Sequence, residues 1–336
     1  MALREIHDQA IWDNFVRVQP HAPFHQSWAW GVFQESQGHV VRRFFYGDGP
    51  IMAGQFIFYK KRWTGYWFLP RGPIFSSKAA NDRRAHLHDF LEAVLKEVWK
   101  PKPLFFRIEP TVPLSEAEGL MPRIMRRNHS MSPAATVLID LKKNQETLLA
   151  AMHEKTRYHI RLAERAGVSV RVGISDEDFE AFWRLLSETG ERNKFMPHNK
   201  AYLFAMWKAL KERGMATLRL AEYQGMVLSA NMEMAHGDTV TYLHGSSSAE
   251  HREVRAPFLL HWEAIKDAQK RGFAWYDFWG ANPANKSSYY YKPTWEGISR
   301  FKEAWGGEHV DLVGTWDLPM NRFFYRLAFP EGAWRG

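Results

Sequence analysis

The fold is decided by one stretch, VVRRFFYGDGPIMAGQFIFY (40–59), and by its counterpart, ATLRLAEYQGMVLSANMEMA (216–235). Each consists of two runs with the period-2 or β-rich pattern of a strand, separated by a turn. The turns are GDGP at 47–50 and the Gln224-Gly225 pair, where glycine accepts the backbone angles of a tight turn. Both stretches therefore predict β-hairpins.

The same order of elements follows each hairpin: a third strand, an amphipathic helix and a further strand. The predicted elements are a strand at 66–70, a helix at 78–99 and a strand at 104–108, then a strand at 239–245, a helix at 255–271 and a strand at 273–280. This duplication predicts an α/β (α+β) fold with two copies of one unit, each an antiparallel sheet with packed helices. A period this long indicates domain duplication rather than a solenoid.

Apolar residues at helical spacing mark the faces by which the two helices should pack. They are Leu87, Phe90, Leu91, Val94, Leu95 and Val98 in the first helix and Phe258, Leu259, Trp262, Ile265 and Ala268 in the second. Gly272 should follow the second helix as its C′ residue. Another helix is predicted from Ser175, where Asp178 stands at capping-box spacing.

The stretch MHEKTRYHIRLAERAG (152–167) places Arg157, Arg161 and Arg165 on one helical stripe. We predict a single helix over about 144–166. Its inward side would carry Met152, Ile160 and Ala163. Like charges at this spacing repel by roughly 0.2–0.5 kcal/mol per pair, so the stripe favours an anionic partner. Local ion pairs, Glu154–Arg157 and Arg161–Glu164, explain it equally well.

Composition narrows the function classes. The 336 residues include 45 Lys and Arg against 37 Asp and Glu, which gives a formal net charge of +8. Such a charge suits nucleic acid, phosphates or an anionic membrane, and equally a merely basic protein. The chain has no cysteine, which excludes disulfides, thiolate zinc sites and cysteine nucleophiles. No signal peptide or spanning apolar run is recognisable, so we expect a cytoplasmic protein.

Common catalytic motifs are missing from the sequence. It contains no GxxxxGK[ST] phosphate loop, no GxGxxG after a strand and no GxSxG elbow. HEKTRYH (153–159) is not HExxH, and the 15 histidines are scattered without metal-ligand spacing. We therefore expect no metal site.

Four short segments could carry chemistry. The Arg71-Gly72 pair follows an aromatic strand. A glycine there lets the backbone approach a ligand, and an arginine can make a bidentate contact with a phosphate or carboxylate. The alternative is that the pair only forms a tight turn. Arg107 and Glu109 alternate at a strand end and form either an ion pair or the wall of a site. The other two segments are TYLHGSSS (241–248), with Tyr242 and His244, and the Phe301-Lys302 pair in ISRFKEAWGG.

Together these segments resemble the Fem family (FemX/FemA/FemB type) of aminoacyl-tRNA-dependent peptidyltransferases, which build peptidoglycan cross-bridges. The resemblance runs nearly end to end, and the order and spacing of its motifs make it specific. The motifs are FHQSWAWG (24–31), LPRGPI (69–74), FFRIEP (105–110), TVLIDL (136–141), HEKTRYHIRLAERAGV (153–168), SETGERNKF (187–195), TYLHGSSS (241–248), RAPFLLHWEAIKDAQKRG (255–272), YDFWG (276–280) and ISRFKEAWGGE (299–308).

The resemblance implies two tandem GNAT-like acyltransferase domains without a coiled-coil arm. Residues 1–135 with 312–336 would bind the muropeptide precursor, and residues 136–311 would bind the aminoacyl-tRNA end. The implied reaction moves glycine, alanine or serine from tRNA to the side-chain amine of stem-peptide residue three. The acceptor would be lipid II or UDP-MurNAc-pentapeptide. We expect no coenzyme A, no metal and no other cofactor, and a monomer with peripheral contact at the inner face of the plasma membrane.

The resemblance also assigns roles to residues. Lys302 would bind the tRNA end or offset developing charge, and Phe301 would stack on the terminal base. Glu109 would grip the acceptor amine or act as base. Arg157 and Arg161 would meet tRNA. The muropeptide groove would be lined by Arg71, Gly72, Gln34, His198, Tyr202, Tyr242 and His244. We treat Lys302 as a surface lysine whose removal leaves the fold intact.

Two positions depart from the family pattern. Gln34 stands where some members carry a basic residue for the precursor's phosphates, and His198 stands where a second phosphate-binding arginine is found. Both departures favour lipid II over the UDP-linked precursor. The alternatives are a GNAT-type N-acyltransferase on another amine, such as a peptide or an exopolysaccharide precursor, and a non-catalytic RNA-binding module.

Overall fold

The computed structural model of the chain describes residues 2–61, 64–97, 100–193 and 195–329. Val98, predicted to face the core, and residues 330–336 of the predicted C-terminal segment lie outside the described residues. Within those ranges the chain forms fifteen strands and ten α-helices.

The strands are β1 (Leu3–Glu5), β2 (Val40–Tyr46), β3 (Met52–Lys60), β4 (Gly65–Leu69), β5 (Ile74–Phe75), β6 (Phe105–Ile108), β7 (Arg126–Asn128), β8 (Ala135–Asp140), β9 (Ser169–Gly173), β10 (Ala216–Tyr223), β11 (Met226–His236), β12 (Thr239–Ser247), β13 (Trp275–Asp277), β14 (Glu308–Asp311) and β15 (Thr315–Pro319). The helices are α1 (Gln9–Val16), α2 (Trp28–Ser36), α3 (Arg83–Glu97), α4 (Gln145–Ala151), α5 (Glu154–Ala166), α6 (Asp176–Asn193), α7 (Lys200–Lys211), α8 (Ala256–Lys270), α9 (Glu296–Glu303) and α10 (Arg322–Ala328). None of the helices among the described residues has the length and apolar character needed to cross a membrane.

The chain divides into two compact units. Unit 1 comprises Met1–Ala135, Asn282–Pro293 and Val310–Gly336, and unit 2 comprises Thr136–Ala281 and Thr294–His309. The resemblance implied a second domain of residues 136–311, but residues 282–293, 310 and 311 cluster with unit 1. The Tyr290 side chain explains this, because its hydroxyl donates to the backbone O of Thr315 and accepts from its N–H.

The two sheets share one topology, which explains the duplication in the sequence. The first runs β1-β2-β3-β4-β6-β15-β7, with β5 also paired to β3, and the second runs β9-β10-β11-β12-β13-β8-β14. In each, three antiparallel strands lead through a helix, α3 or α8, to a strand that pairs in parallel, β4 with β6 and β12 with β13. The predicted pair of mixed α/β units is confirmed.

Both units have aromatic cores. In unit 1, Phe56, Trp67, Phe90 and Phe106 join β3, β4, α3 and β6 in one buried cluster. In unit 2, the cluster contains Ile160 of α5, Ile265 of α8, Tyr276 of β13 and Trp305. Within the predicted face of α3, Leu87, Phe90, Leu91 and Val94 are buried.

Two predicted elements differ from the structure. The helix predicted over 144–166 is two helices, because Met152 is extended and the His153 ring caps α5 by accepting from the Lys155 N–H. The strand predicted at 273–280 is only Trp275–Asp277. The chain leaves the sheet after Asp277 because its carboxylate accepts from the Trp279 N–H, and Trp279 takes a left-handed conformation.

Candidate active site

The centre of unit 2 is Lys302, which α9 carries into the protein. The prediction that Lys302 lies at the surface is wrong, because the residue is 4% exposed. Its Nζ donates to the carbonyl O of Gly280 over 2.7 Å and lies 5.4 Å from the centroid of the Tyr242 ring. Burial lowers the pKa of Lys302 to about 7, although the nearby Asp277 carboxylate acts in the opposite direction. A lysine poised between its two protonation states at neutral pH is a common feature of catalytic sites.

Aromatic rings surround this amine. The Tyr242 and His261 rings meet edge-on, 4.5 Å between centroids and 89° apart. Phe301, half-buried, packs on Phe258 at 5.3 Å and on His261 at 5.6 Å. The ring predicted to stack on a nucleotide base is therefore anchored on one side by the core.

His261 belongs to the same site, although no sequence motif singles it out. It is buried, and its Nδ1 lies 3.2 Å from the Tyr276 hydroxyl and 3.4 Å from Asn231 Nδ2. Burial, with help from the nearby cations of Lys302 and Arg219, lowers its pKa to about 3, so the ring is neutral at physiological pH. A signal was available, because His261 lies three residues after Phe258 and four before Ile265 on the face predicted to pack inward.

A β-bulge in β12 sets the directions of the Tyr242 and His244 side chains. Glu233 pairs with Tyr242 and Met232 pairs with His244, so Leu243 is the extra residue in β12. Bulges of this kind often lie beside active sites and redirect side chains. The Tyr242 ring also folds back over Gly245, where an added Cβ would collide with the Tyr242 hydroxyl. This close approach, rather than a simple turn, explains the glycine.

His244 gathers with two other predicted groove residues. Its ring lies 6.0 Å from that of His198, which lies 5.7 Å from Tyr202 of α7. Burial, together with the neighbouring His198, lowers the pKa of His244 to about 3, and burial also lowers the pKa of His198. Neutral imidazoles beside a phenol suit hydrogen bonding to a polar, uncharged group. A shallow cavity of about 350 Å³ is lined by residues that precede His198 in the chain: Ser187, Gly190, Glu191, Phe195, Met196 and Pro197.

The centre of unit 1 is Glu109, directly after β6. Its Oε1 accepts three hydrogen bonds, from the N–H groups of Met131 and Ser132 at 2.9 and 3.1 Å and from Thr315 Oγ1 at 2.6 Å. Among the described residues, its buried Oε2 has no hydrogen-bond partner. An unsatisfied buried carboxylate oxygen costs free energy, so it is expected to serve a ligand.

Arg107 does not pair with Glu109, which corrects one of the two readings left open by the sequence. Its guanidinium binds Asp317 of β15 through two bonds of 2.7 and 2.8 Å. The carboxylate of Asp317 also accepts from Asn128 Nδ2 and from the Tyr325 hydroxyl. The pair is therefore part of a closed network that binds α10 to the sheet.

The predicted ligand residues Arg71, Gly72 and Gln34 are enclosed by protein. Arg71 is buried, adopts a φ of 52° and donates to the carbonyl O of Pro133. Gly72 is needed for packing, since an added Cβ would lie 2.9 Å from Leu69 Cγ and 3.1 Å from Gln26 Nε2. Gln34 is 1% exposed and accepts a long bond from the Tyr59 hydroxyl. All three positions therefore make contacts within the protein.

The arginine stripe on α5 is not uniform. Arg157 folds back, and its Nη1 donates to the carbonyls of Leu149 and Met152 at the C-terminal end of α4. Arg161 and Arg165 are exposed. The inward side, Met152, Ile160 and Ala163, is buried as predicted. Within the described residues, no group of three or more His, Cys, Asp or Glu is arranged to hold a metal ion.

Comparisons with known proteins show similarity in sequence and fold. The family described as "Acetyltransferase (GNAT) domain" matches residues 150–293. The lipid II:glycine glycyltransferase of Staphylococcus saprophyticus subsp. saprophyticus is 22% identical over 408 aligned residues, which cover 97% of this chain and 95% of that protein.

Solved structures show the same fold. The crystal structure of FemX superposes with a TM-score of 0.82 at 21% identity, covering 97% of this chain and 99% of that one. A tandem GNAT protein from the clavulanic acid biosynthesis pathway superposes with a TM-score of 0.55 at 12% identity, covering 94% and 97%. The chain is thus an acyltransferase of tandem GNAT fold, and the resemblance to the Fem family that its sequence motifs indicate is confirmed.

Proposed function

We propose that the chain is an aminoacyltransferase that moves glycine, alanine or serine from a charged tRNA to the side-chain amine of stem-peptide residue three. The acceptor is lipid II or UDP-MurNAc-pentapeptide, and the product is a peptidoglycan cross-bridge. The observation that carries the proposal is the buried Lys302 amine, with its pKa near 7, in a chain that aligns nearly end to end with lipid II:glycine glycyltransferases.

The reaction needs little more than positioning and charge stabilisation. The acceptor nitrogen attacks the ester carbonyl, the C–O bond to the tRNA ribose breaks, and the ribose hydroxyl leaves with a proton. The protonated Lys302 offsets the charge of the tetrahedral oxyanion. The exposed part of Phe301 stacks on the terminal base, while Arg161 meets tRNA phosphates.

Other residues bind the muropeptide acceptor. Glu109 Oε2 accepts a hydrogen bond from the acceptor's neutral amine, and this oxygen is available because the three donors within the protein all bind Oε1. Tyr202, Tyr242, His244 and His198 contact the uncharged parts of the muropeptide. Under this proposal the protein works as a monomer in the cytoplasm, at the inner face of the plasma membrane.

The test is transfer by the purified protein of a radiolabelled amino acid from glycyl-, alanyl- or seryl-tRNA to lipid II and, separately, to UDP-MurNAc-pentapeptide. We expect transfer from one of them, with a preference for lipid II. Lys302→Met keeps the side-chain volume and should reduce kcat/KM by about 10²–10³-fold. Lys270→Met, which removes an exposed lysine from α8, is the matched control and should be neutral. No transfer from any of these donors would overturn the proposal.

The GNAT domain match favours one other candidate, an N-acyltransferase that takes its acyl group from coenzyme A. The same assay with acetyl-CoA and an unmodified peptide amine separates the two. Acetylation without any transfer from tRNA would favour this second candidate.

A further inference from the structure

The C-terminal helix α10 turns apolar side chains outward. Phe323, Phe324 and Leu327 are 67%, 56% and 66% exposed. Other exposed apolar residues of unit 1, such as Ile11 and Val18, lie apart along the chain. Isolated exposed apolar residues need no explanation, whereas a contiguous group on one helix face indicates an interaction site.

This outward orientation is fixed from the opposite side of the helix. Tyr325 is buried, and its hydroxyl donates to Asp317 Oδ2 over 2.7 Å and accepts from Asn128 Nδ2 over 3.0 Å. Its ring packs edge-on against Phe105 at 5.5 Å. Since residues at 100° intervals circle a helix, anchoring Tyr325 directs Phe323, Phe324 and Leu327 away from the sheet. The helix cannot roll to hide them without breaking these bonds.

Positive charge surrounds the apolar group. Arg322 and Arg326 are exposed on α10 itself. The strand β7, which α10 contacts through the Tyr325–Asn128 bond, exposes Arg126, which lies on the same face of the strand as Asn128. Neither residues 318–329 nor residues 119–134 contain an aspartate or glutamate. We call Phe323, Phe324, Leu327 and the three arginines Arg126, Arg322 and Arg326 the α10 surface.

We propose that the α10 surface docks the protein on an anionic lipid bilayer, with the two phenylalanines and the leucine in the interface and the arginines on lipid headgroups. Apolar insertion and electrostatic attraction together are what reversible binding to a membrane surface requires. Phenylalanine and leucine on a helix with arginines at its flank match that chemistry better than a nucleic acid, which offers no apolar layer for an aliphatic side chain. The inference rests on the proposed function in that it names the surface that contacts the plasma membrane, yet its evidence and its test do not depend on transfer.

The test is flotation of the full chain with two kinds of vesicle. One contains phosphatidylcholine alone, and the other contains phosphatidylcholine with about 30% phosphatidylglycerol, an anionic lipid whose surface charge attracts basic segments. We expect binding to the anionic vesicles, weakened by salt, and little binding to the neutral ones. The variant Phe323→Ser/Phe324→Ser/Leu327→Ser should lose about tenfold or more in affinity. Arg322→Gln/Arg326→Gln should lose about fivefold per arginine on anionic vesicles only.

The matched control is Ile11→Ser/Val18→Ser, which removes exposed apolar side chains elsewhere in unit 1 and should bind like the unchanged protein. The proposal is overturned by failure of the unchanged protein to prefer anionic vesicles, or by a triple serine variant that binds equally well. It is also overturned by sedimentation velocity that shows a dimer dissolved by the serine substitutions, since a second copy would then cover α10. Binding displaced fully by tRNA at fixed salt would assign the surface to nucleic acid instead.

Transfer assays distinguish this inference from the proposed function. The triple serine variant should act on the water-soluble UDP-linked acceptor as the unchanged protein does, and should slow only on lipid II held in anionic vesicles. Vesicle binding without transfer to either acceptor would reject the proposed function and leave the docking surface intact. Equal rates on vesicle-held lipid II would reject the docking surface alone.

Discussion

Arg107 in unit 1 and Lys302 in unit 2 are both buried cations, but their surroundings satisfy them to different degrees. In unit 1, Arg107 and Asp317 make two bonds to each other, and Asp317 receives two more from Asn128 and Tyr325. In unit 2, Lys302 Nζ, which can donate three hydrogen bonds, has one partner among the described residues, the carbonyl of Gly280. The Arg107 charge is satisfied within the protein, whereas Lys302 Nζ has donor capacity left for a ligand.

The pKa values of these groups follow the same division. Burial acts to lower the pKa of Arg107, but the hydrogen bonds and charge of Asp317 outweigh it and leave the pKa raised. Burial lowers the pKa of Lys302 to about 7, and the charge of the Asp277 carboxylate, which acts in the opposite direction, does not compensate. The Arg107–Asp317 pair therefore stabilises structure, whereas Lys302 is held in a state that an anionic ligand would relieve.

Removing one member of each group should have opposite effects on stability. Asp317→Ala strands the Arg107 cation in the core and should lower the free energy of unfolding by about 3–5 kcal/mol. Lys302→Met replaces a poorly satisfied amine with an apolar chain of similar size and should leave stability unchanged or higher. Urea unfolding at pH 7 measures both.

A double variant serves as the control for the first of these changes. Arg107→Met/Asp317→Leu removes both charges and should recover most of the lost stability. Equal losses from Asp317→Ala and Lys302→Met would show that the two groups do the same structural work, and the distinction would be abandoned.

The stability of the unchanged protein should depend on pH through Lys302. Its folded pKa of about 7 lies below the ordinary lysine value of 10.5. Above both values the amine is neutral in either state and carries no penalty, and the penalty grows as the pH falls from 10.5 to 7 and is complete below 7. Relative to Lys302→Met, stability should therefore rise by up to about 1.4 kcal/mol per pH unit between pH 7 and 10. A flat difference between the two urea-unfolding curves would contradict the low pKa.

The catalytic contribution of Lys302 should have the opposite dependence on pH. The proposed role requires the ammonium form, which is lost above pH 7 in the free enzyme. The ratio of kcat/KM between the unchanged protein and Lys302→Met removes the titration of the acceptor amine itself. This ratio should fall up to about tenfold per pH unit above 7. A ratio that rises with pH would assign Lys302 the role of general base instead.

Much of the fold could be predicted because its signals are local. The strand β2 begins and ends at the predicted residues, and the hairpin β10–β11 follows from alternation around Gln224-Gly225. Gly272 takes the positive φ expected after α8, and Ser175 and Asp178 cap α6 reciprocally. Each of these features depends on neighbours within a few residues, which the sequence shows directly.

The unpredicted features depend on partners far away in the chain. Arg107 meets Asp317 across 210 residues, and Lys302 meets the Gly280 carbonyl across 22. The break between α4 and α5 is supported by a bond from the His153 N–H to the carbonyl of Ala304. No local pattern reveals such contacts, so the sequence could propose Lys302 and Glu109 as site residues but not their burial or their partners.

The Glu109 site offers a smaller test of how a buried charge is positioned. Thr315→Val removes the hydroxyl that donates to Glu109 Oε1, so the carboxylate should turn part of its acceptor capacity away from the ligand. We expect KM for the muropeptide acceptor to rise about fivefold with little change in kcat, the worth of about one hydrogen bond. Thr315→Ser keeps the donor and should behave like the unchanged protein. Equal effects of valine and serine would trace the change to packing rather than to the carboxylate.

The smallest expected effects separate two arginines that the sequence treats alike. Arg157→Gln removes a donor from the carbonyls of Leu149 and Met152 and should lower the free energy of unfolding by about 0.5–1.5 kcal/mol. Arg161→Gln, on the exposed side of α5, should leave stability within about 0.5 kcal/mol. It should instead weaken tRNA binding and reduce the slope of log affinity against log salt by about one. Arg157, whose charge is satisfied within the protein, and Arg161, whose charge is open to a ligand, thus lie one helical turn apart. A stability loss from Arg161→Gln with no change in tRNA affinity would show that Arg161 has a structural role instead.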